Sequence, residues 1–226
     1  MVTHVKLRFF FSRRIGLNQK VLGGSRVFGQ IGKYSIGALN IHTNANTDNP
    51  ATSYSAFRLR SDIRKRTTIG AVVTDVSNKN IQNSVIGIDA QMRFWGNSSF
   101  STWFSQAQDT EFEKPSSSSM IKLDLRNDRY FFTTGQHRVD KNFDPALGFV
   151  QRKDMIGTGA IAGFTPRVGN GNDLIRQWIL SLYVRDVKNQ SGIHETGVLQ
   201  FSIDALFESR DRVGVKVINN KEKLIN

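Results

Sequence analysis

The sequence predicts an all-β fold, and within that class an antiparallel up-and-down transmembrane β-barrel of about twelve strands. Three observations carry this. Hydrophobicity alternates with period two along most of the chain, the alternating runs are long enough to cross a bilayer, and the links between them are short and long in turn.

One domain is expected over residues 1–226, with a leading segment over 1–23 and consecutive hairpins over 24–220. Runs near 25–32, 34–43, 53–63 and 66–76 open the series. From Ser84 the alternation is clearest: Ile86, Ile88, Ala90, Met92 and Phe94 share one face, and Gly87, Asp89, Gln91 and Arg93 share the other. After a run near 98–108, Ile121, Leu123 and Leu125 oppose Lys122, Asp124 and Arg126. Runs near 129–139, 152–165 and 175–187 follow. From Thr196, Leu199, Phe201, Ile203, Ala205 and Phe207 oppose Gln200, Ser202, Asp204 and Glu208, and Val213, Val215 and Val217 then oppose Arg212, Gly214 and Lys216. Each run reads as a strand with one polar face.

Links near Gly32–Lys33, Asp62–Lys65, Gly96–Asn97, Asn127–Asp128 and Ser209–Asp211 are short, whereas those over 44–52, 77–83, 109–117 and 140–151 are long. Tight turns at one end and extended loops at the other are the pattern of an outer-membrane barrel. The link near 166–174 is longer than this scheme asks and the one near 188–193 shorter. Trp95 closes one run, Tyr130 opens another and Trp178 lies near the start of a third, as rings at headgroup level would. Pro115 with Ser116–Ser119 reads as a mobile loop tip.

Composition narrows the classes. Only 38% of residues are hydrophobic and mean hydropathy is -0.35, so no stretch of about 18 apolar residues can form a spanning helix. A barrel tolerates this, because every second residue faces a polar interior. The chain has no cysteine, which removes disulfides and thiolate metal sites. Net charge is +12, but the excess is local: residues 1–66 hold 12 Lys or Arg against Asp48 and Asp62, and the other 160 hold 19 against 17. With no helix to enter a groove and no aromatic RNA-binding pattern, nucleic acid is not the expected partner.

Catalytic chemistry finds little support. His4, His42, His137 and His194 are scattered at spacings that suit no metal, and they read as loop or lumen residues. Gly157-Thr158-Gly159 with Gly163 lies inside a run, where glycine lets a strand bend or side chains pack, and lacks the Lys of a phosphate loop. Asp144 and Asp154 flank the 140–151 link, yet Asp-Pro is first a turn opener. No enzyme, metal or cofactor is expected. The presumed lumen face is the candidate site: Arg58, Arg60, Asp89, Gln91, Arg93, Lys122, Asp124, Arg126, Gln200, Ser202, Asp204 and Glu208. Its mixed signs suit a charged ladder better than a selectivity ring.

Phe10-Phe11-Ser12-Arg13-Arg14-Ile15-Gly16, Leu22-Gly23-Gly24-Ser25-Arg26 and Phe143-Asp144-Pro145-Ala146-Leu147-Gly148-Phe149-Val150, with Arg152 and Asp154, carry a resemblance. So do Pro50-Ala51-Thr52, Phe57-Arg58-Leu59-Arg60 and Thr67-Thr68-Ile69-Gly70. Over roughly residues 9 to 217, the chain resembles an uncharacterised bacterial family in which a C-terminal outer-membrane barrel follows a domain like carbohydrate-binding module family 9. Gln151 stands where that family would have proline. The resemblance implies a Gram-negative outer-membrane location, membrane lipid and lipopolysaccharide as surroundings, and a link to glycans only through an N-terminal domain not in this chain. It implies no catalytic residue. Further strands and an export signal are expected outside this segment, which is expected to be a fragment of the barrel. The expected function is a channel-like barrel or the anchor of a periplasmic carbohydrate-binding domain. A soluble β-sandwich or barrel that binds a ligand or glycan is the alternative, and it would press the apolar faces together as an internal core.

Overall fold

The computed structural model describes residues 7–8, 10–168 and 174–223. His4, the middle of the 166–174 link and Leu224–Asn226 lie outside them. The fold is all-β. After β1 (Leu7–Arg8) come β2 (Val21–Ile31), β3 (Tyr34–Thr43), β4 (Thr52–Arg64), β5 (Thr67–Ser77), β6 (Gln82–Phe94), β7 (Ser98–Asp109), β8 (Ser116–Arg126) and β9 (Tyr130–Val139). Then follow β10 (Phe149–Val150), β11 (Met155–Phe164), β12 (Ile175–Lys188), β13 (His194–Phe207) and β14 (Arg212–Glu222). One 12-stranded sheet runs in the order β14-β13-β12-β11-β9-β8-β7-β6-β5-β4-β3-β2, and β1 and β10 make a separate two-stranded ribbon. Every described pairing is antiparallel. The up-and-down barrel pattern is thus present as an open sheet, whose edges β2 and β14 are not paired with each other.

The short turns collect at one end and most of the longer links at the other, with the 165–174 link a long exception at the short-turn end. The β4–β5 turn tightens to residues 65–66, because β4 runs on through Arg64 over a bulge between Asp62 and Arg64. The serine run proves not to be a loop tip. Ser116–Ser119 belong to β8, where Ser116 and Ser118 are buried, and their hydroxyls donate to Asn142 O at 3.1 Å and Arg138 O at 2.8 Å. Small side chains that carry their own donor let the strand lie under a packed loop.

Period two fixes which residues share a face, and following the cross-strand pairs around the sheet defines two. One packs against the 140–154 link and is called the inner face. It carries two apolar clusters: Val85, Ala107, Val139, Phe143, Met155 and Val187, and Tyr54, Val76 and Leu147 with Ile15, Ile41 and Ala146 beside them. A flat sheet from β6 to β12 would be about 24 Å wide at ~4.8 Å per strand, so the sheet curls around the loop to form one cluster.

The outer face is apolar and open. Ile86 and Ile88 are 57% and 58% exposed, Phe104 46%, Ile121 50% and Val215 71%. They occupy neighbouring outer positions: Ile88 opposes Ala71 and Phe104, Leu182 opposes Phe201, and Phe201 opposes Val217. No second layer covers them among the described residues, so the two stacked layers of a sandwich are not what this chain builds. Towards the long-loop end the same face turns polar, through Ser53, Ser84, Gln108, Arg138 and Lys188. At the short-turn end it is rimmed by Tyr34, Trp95, Tyr130 and Phe164, with Tyr130 stacked on Phe164 at 5.0 Å.

Candidate functional site: the inner face and its plug

The ladders bring eleven of the twelve candidates onto the inner face. Arg58 and Arg60 lie on β4, Asp89, Gln91 and Arg93 on β6, Lys122, Asp124 and Arg126 on β8, and Gln200, Ser202 and Asp204 on β13. Glu208 does not join them. β13 stops at Phe207, whose N–H donates to Asp211 O at 2.9 Å, and Glu208 falls in the turn beyond.

Within this face, charges are paired over glycines. Arg58 makes a bidentate ion pair with Asp89, one arm at 2.9 Å, across the intervening strand at Gly70. A Cβ at Gly70 would strike both groups. At Gly214 a Cβ would strike the Asp204 carboxylate, which Arg212 grips at 3.0 and 3.1 Å. At Gly163 it would strike the ring of Phe131. Glycine in these strands makes room for a neighbour's side chain to lie flat. Ser181 and Ser202 share a hydrogen bond of 2.7 Å. Between β2 and β7 a cavity of about 1160 Å³ is left, lined by Arg26, Phe28, Leu39, Arg58 and Trp103 with Ile15 of the leading segment.

The sequence reading missed the plug. Residues 140–154 turn inward and seat two apolar pegs, Phe143 and Leu147, both fully buried. Asn83 latches them: its amide donates to Asp144 O at 2.8 Å and to the Asp109 carboxylate at 2.7 Å, and its oxygen accepts from Ala146 N at 2.9 Å. Asp140 holds the entry, accepting from Ser117 N and Oγ, both at 2.7 Å, from Gln190 at 2.9 Å and from Arg138 at 3.3 Å. Burial pushes its carboxyl up, but those donors outweigh burial and hold it below its ordinary value. At the exit Arg152 pairs with buried Glu195. The leading segment reinforces the plug. Phe11 N donates to Leu147 O at 2.7 Å, Phe11 and Phe149 rings lie 6.1 Å apart, and β1 pairs with β10. The signal was present in the sequence, since a solvated link does not need Phe143, Ala146 and Leu147 together.

The other candidates are placed as follows. Asp144 pairs with Lys153 at 2.7 Å, and Asp154, at φ 51, accepts from Gln190 N at 3.1 Å, so both carboxylates serve the loop. His137 is buried on the inner face, edge-on to Trp103 at 5.1 Å, and His194 opens β13 at 2.9 Å from Asp186. Like His194, which lies in β13 opposite outer-face Lys188, His42 is neither a loop nor an inner residue. It pairs with Ser53 on the exposed outer face of β3, because the polar end of that face accepts it. Gly157, Gly159 and Gly163 lie within β11.

Fold and site together define a class: an up-and-down antiparallel sheet, apolar outside, polar and ion-paired inside, and stopped at its long-loop end by its own chain. Comparison with family models, curated proteins and solved structures finds no match.

Proposed function

We propose that this chain is the membrane-embedded part of a bacterial outer-membrane β-barrel protein, with the outer face in lipid and the inner face around a plugged lumen. The observation that supports this is the exposure of Ile86, Ile88, Phe104, Ile121, Leu182, Phe201 and Val215 on one continuous face while their polar neighbours turn inward. In water such a belt is unfavourable, at about 25 cal/mol per Å² of apolar surface left wet. Its height fits a bilayer. From Ile86 to Phe94 the belt covers eight residue steps, about 26 Å along the strand at ~3.3 Å per step, or about 20 Å after a tilt of roughly 40°.

The plug favours a structural role, as a surface-exposed platform or the anchor of a periplasmic domain, which the family resemblance extends to carbohydrate binding. The inner cavity favours a second reading, a conduit that opens when the plug moves. Neither role is catalytic. Lipid and lipopolysaccharide are the surroundings this proposal implies. The test is fractionation of cells expressing the protein, with gel mobility before and after boiling. Recovery in outer membranes with a heat-shifted band is expected, whereas a heat-insensitive monomer soluble in plain buffer overturns the proposal. Turnover of an oligosaccharide that Asp144→Asn abolishes would overturn the non-catalytic part.

A further inference from the structure

Some inward-facing cations meet a carboxylate: Arg58 with Asp89, Arg152 with Glu195, and Arg212 with Asp204. One place instead gathers cations well in excess of carboxylates. At the short-turn end of β4–β7 a cavity of about 1060 Å³ is lined by Arg60, Arg64, Lys65, Arg66 and Arg93, with Asp62 as its one carboxylate. Asp62 sits 3.8 Å from Arg60, with both side chains half-exposed. Arg66 reaches Gly96 O at 3.4 Å, whereas the side chains of Arg64, Lys65 and Arg93 have no hydrogen-bond or ion-pair partner among the described residues. The β4–β5 and β6–β7 hairpins that carry these groups are tied side by side by the bond from Arg93 N to Arg66 O, at 2.8 Å. Gln91 and Ser99 add neutral polar groups to the wall.

We infer that this mouth is a binding site for a phosphate-bearing anion. Five cations around one carboxylate repel each other, and a multivalent anion seated among them relieves that repulsion. Arginine forks match the oxygen spacing of phosphate and can hold it through two bonds at once. A singly charged carboxylate would leave most of the cluster uncompensated.

The phosphate has two possible sources, and the residues divide accordingly. Arg60 and Arg93 project from the inner face, where a dissolved phosphate ester would meet them. Lys65 and Arg66 stand in the turn, and Trp95, 82% exposed, stands in the next turn, as a ring at headgroup depth does. A lipid headgroup would meet Lys65 and Arg66 first. The lipid source rests on the membrane proposal; the dissolved source does not.

The experiment uses the full chain in neutral detergent micelles and pyrophosphate titrated by calorimetry, with phosphatidylcholine vesicles, with and without phosphatidylglycerol, as the second arm. Saturable pyrophosphate binding that weakens with added salt is expected. R60S/R93S should weaken it about tenfold or more, the loss of at least one charge-assisted bond. The control Arg167→Gln, at the same end but already paired with Asp128 at 2.6 Å, should leave it unchanged. Loss of phosphatidylglycerol preference in K65S/R66S, with pyrophosphate binding intact, assigns the phosphate to lipid. The reverse assigns it to a dissolved ester. If wild type shows neither saturable pyrophosphate binding nor phosphatidylglycerol preference, or if both double variants keep both behaviours, the inference is overturned. The membrane proposal then still stands if the heat-shifted band persists.

Discussion

At the scale of single residues, glycine and carboxylate positions set the inner face. Gly70→Val would push a side chain between Arg58 and Asp89, an overpacking that typically costs about 1–3 kcal/mol. The same change at Gly37, directly opposite Arg58 but with open space at its Cβ, should cost nothing comparable. Urea midpoints of the refolded variants in micelles check the contrast. Asp140 gives a pH dependence whose sign follows from its depressed pKa. Its contribution to holding the plug is complete above the ordinary value of 3.8 and is lost as pH falls below that through the folded value. Protease cleavage within 141–148 should therefore rise on acidification below about pH 4 in wild type. In Asp140→Asn it should already be raised at neutral pH and change less with acid. Little of this was legible beforehand. Alternation assigns Asp89 and Arg58 to a face, but their pairing depends on Gly70 on a third strand, a contact that period two does not encode.

Strands and loops were the easiest elements to read and the easiest to test. The period-two runs gave twelve long strands, with ends displaced by a few residues where a bulge or a buried partner intervened, as at Arg64 and Ser116. Ser116–Ser119 misled because serine marks loops by composition, whereas here its size and hydroxyl serve a crowded ladder. The link after β9 misled in the opposite sense: it was read as a long loop over 140–151, whereas it runs to 154 and its apolar residues Phe143 and Leu147 are buried as pegs. The solvent of the outer face can be measured on one strand. Ile88 is 58% exposed and lies inside the belt, so Ile88→Arg would be nearly neutral in water but in a bilayer should cost more than a rim position, up to the about 2–4 kcal/mol of a midplane arginine. Phe94→Arg, at the rim of the same strand, should cost about 0–1 kcal/mol. Refolding equilibria in vesicles measure this gradient with depth, and equal effects at both positions would speak for water.

For the molecule as a whole, the open sheet is the governing fact. β2 and β14 each present a ladder edge, and under the membrane proposal lipid could not hydrate the unpaired backbone there. Twelve strands is an even number, so the two edges run antiparallel and carry valines on the same outer face, Val27 and Val217. Because the chain has no cysteine of its own, a pair introduced at Ser25 and Asn219 would report on the seam alone. In this fold an intrachain disulfide should not form, and oxidation should give linked dimers through exposed edges. A monomeric, cross-linked species would show that the two edges can meet. Period and parity reveal that such a seam exists, but not whether it is shut, because closure depends on stagger summed over every ladder.

The plug also imposes a sequence of events on assembly. Phe143 and Leu147 sit in the middle of a link whose two ends are already woven into neighbouring ladders at β9 and β11. Such a link is most easily seated while the sheet is still a trough. Strand pairing around β9 and β11 is therefore the natural starting point, with curling inward from both flanks and the two edges last to settle. A solvent-exposed thiol placed in that link should become shielded before any label on β2 or β14 does.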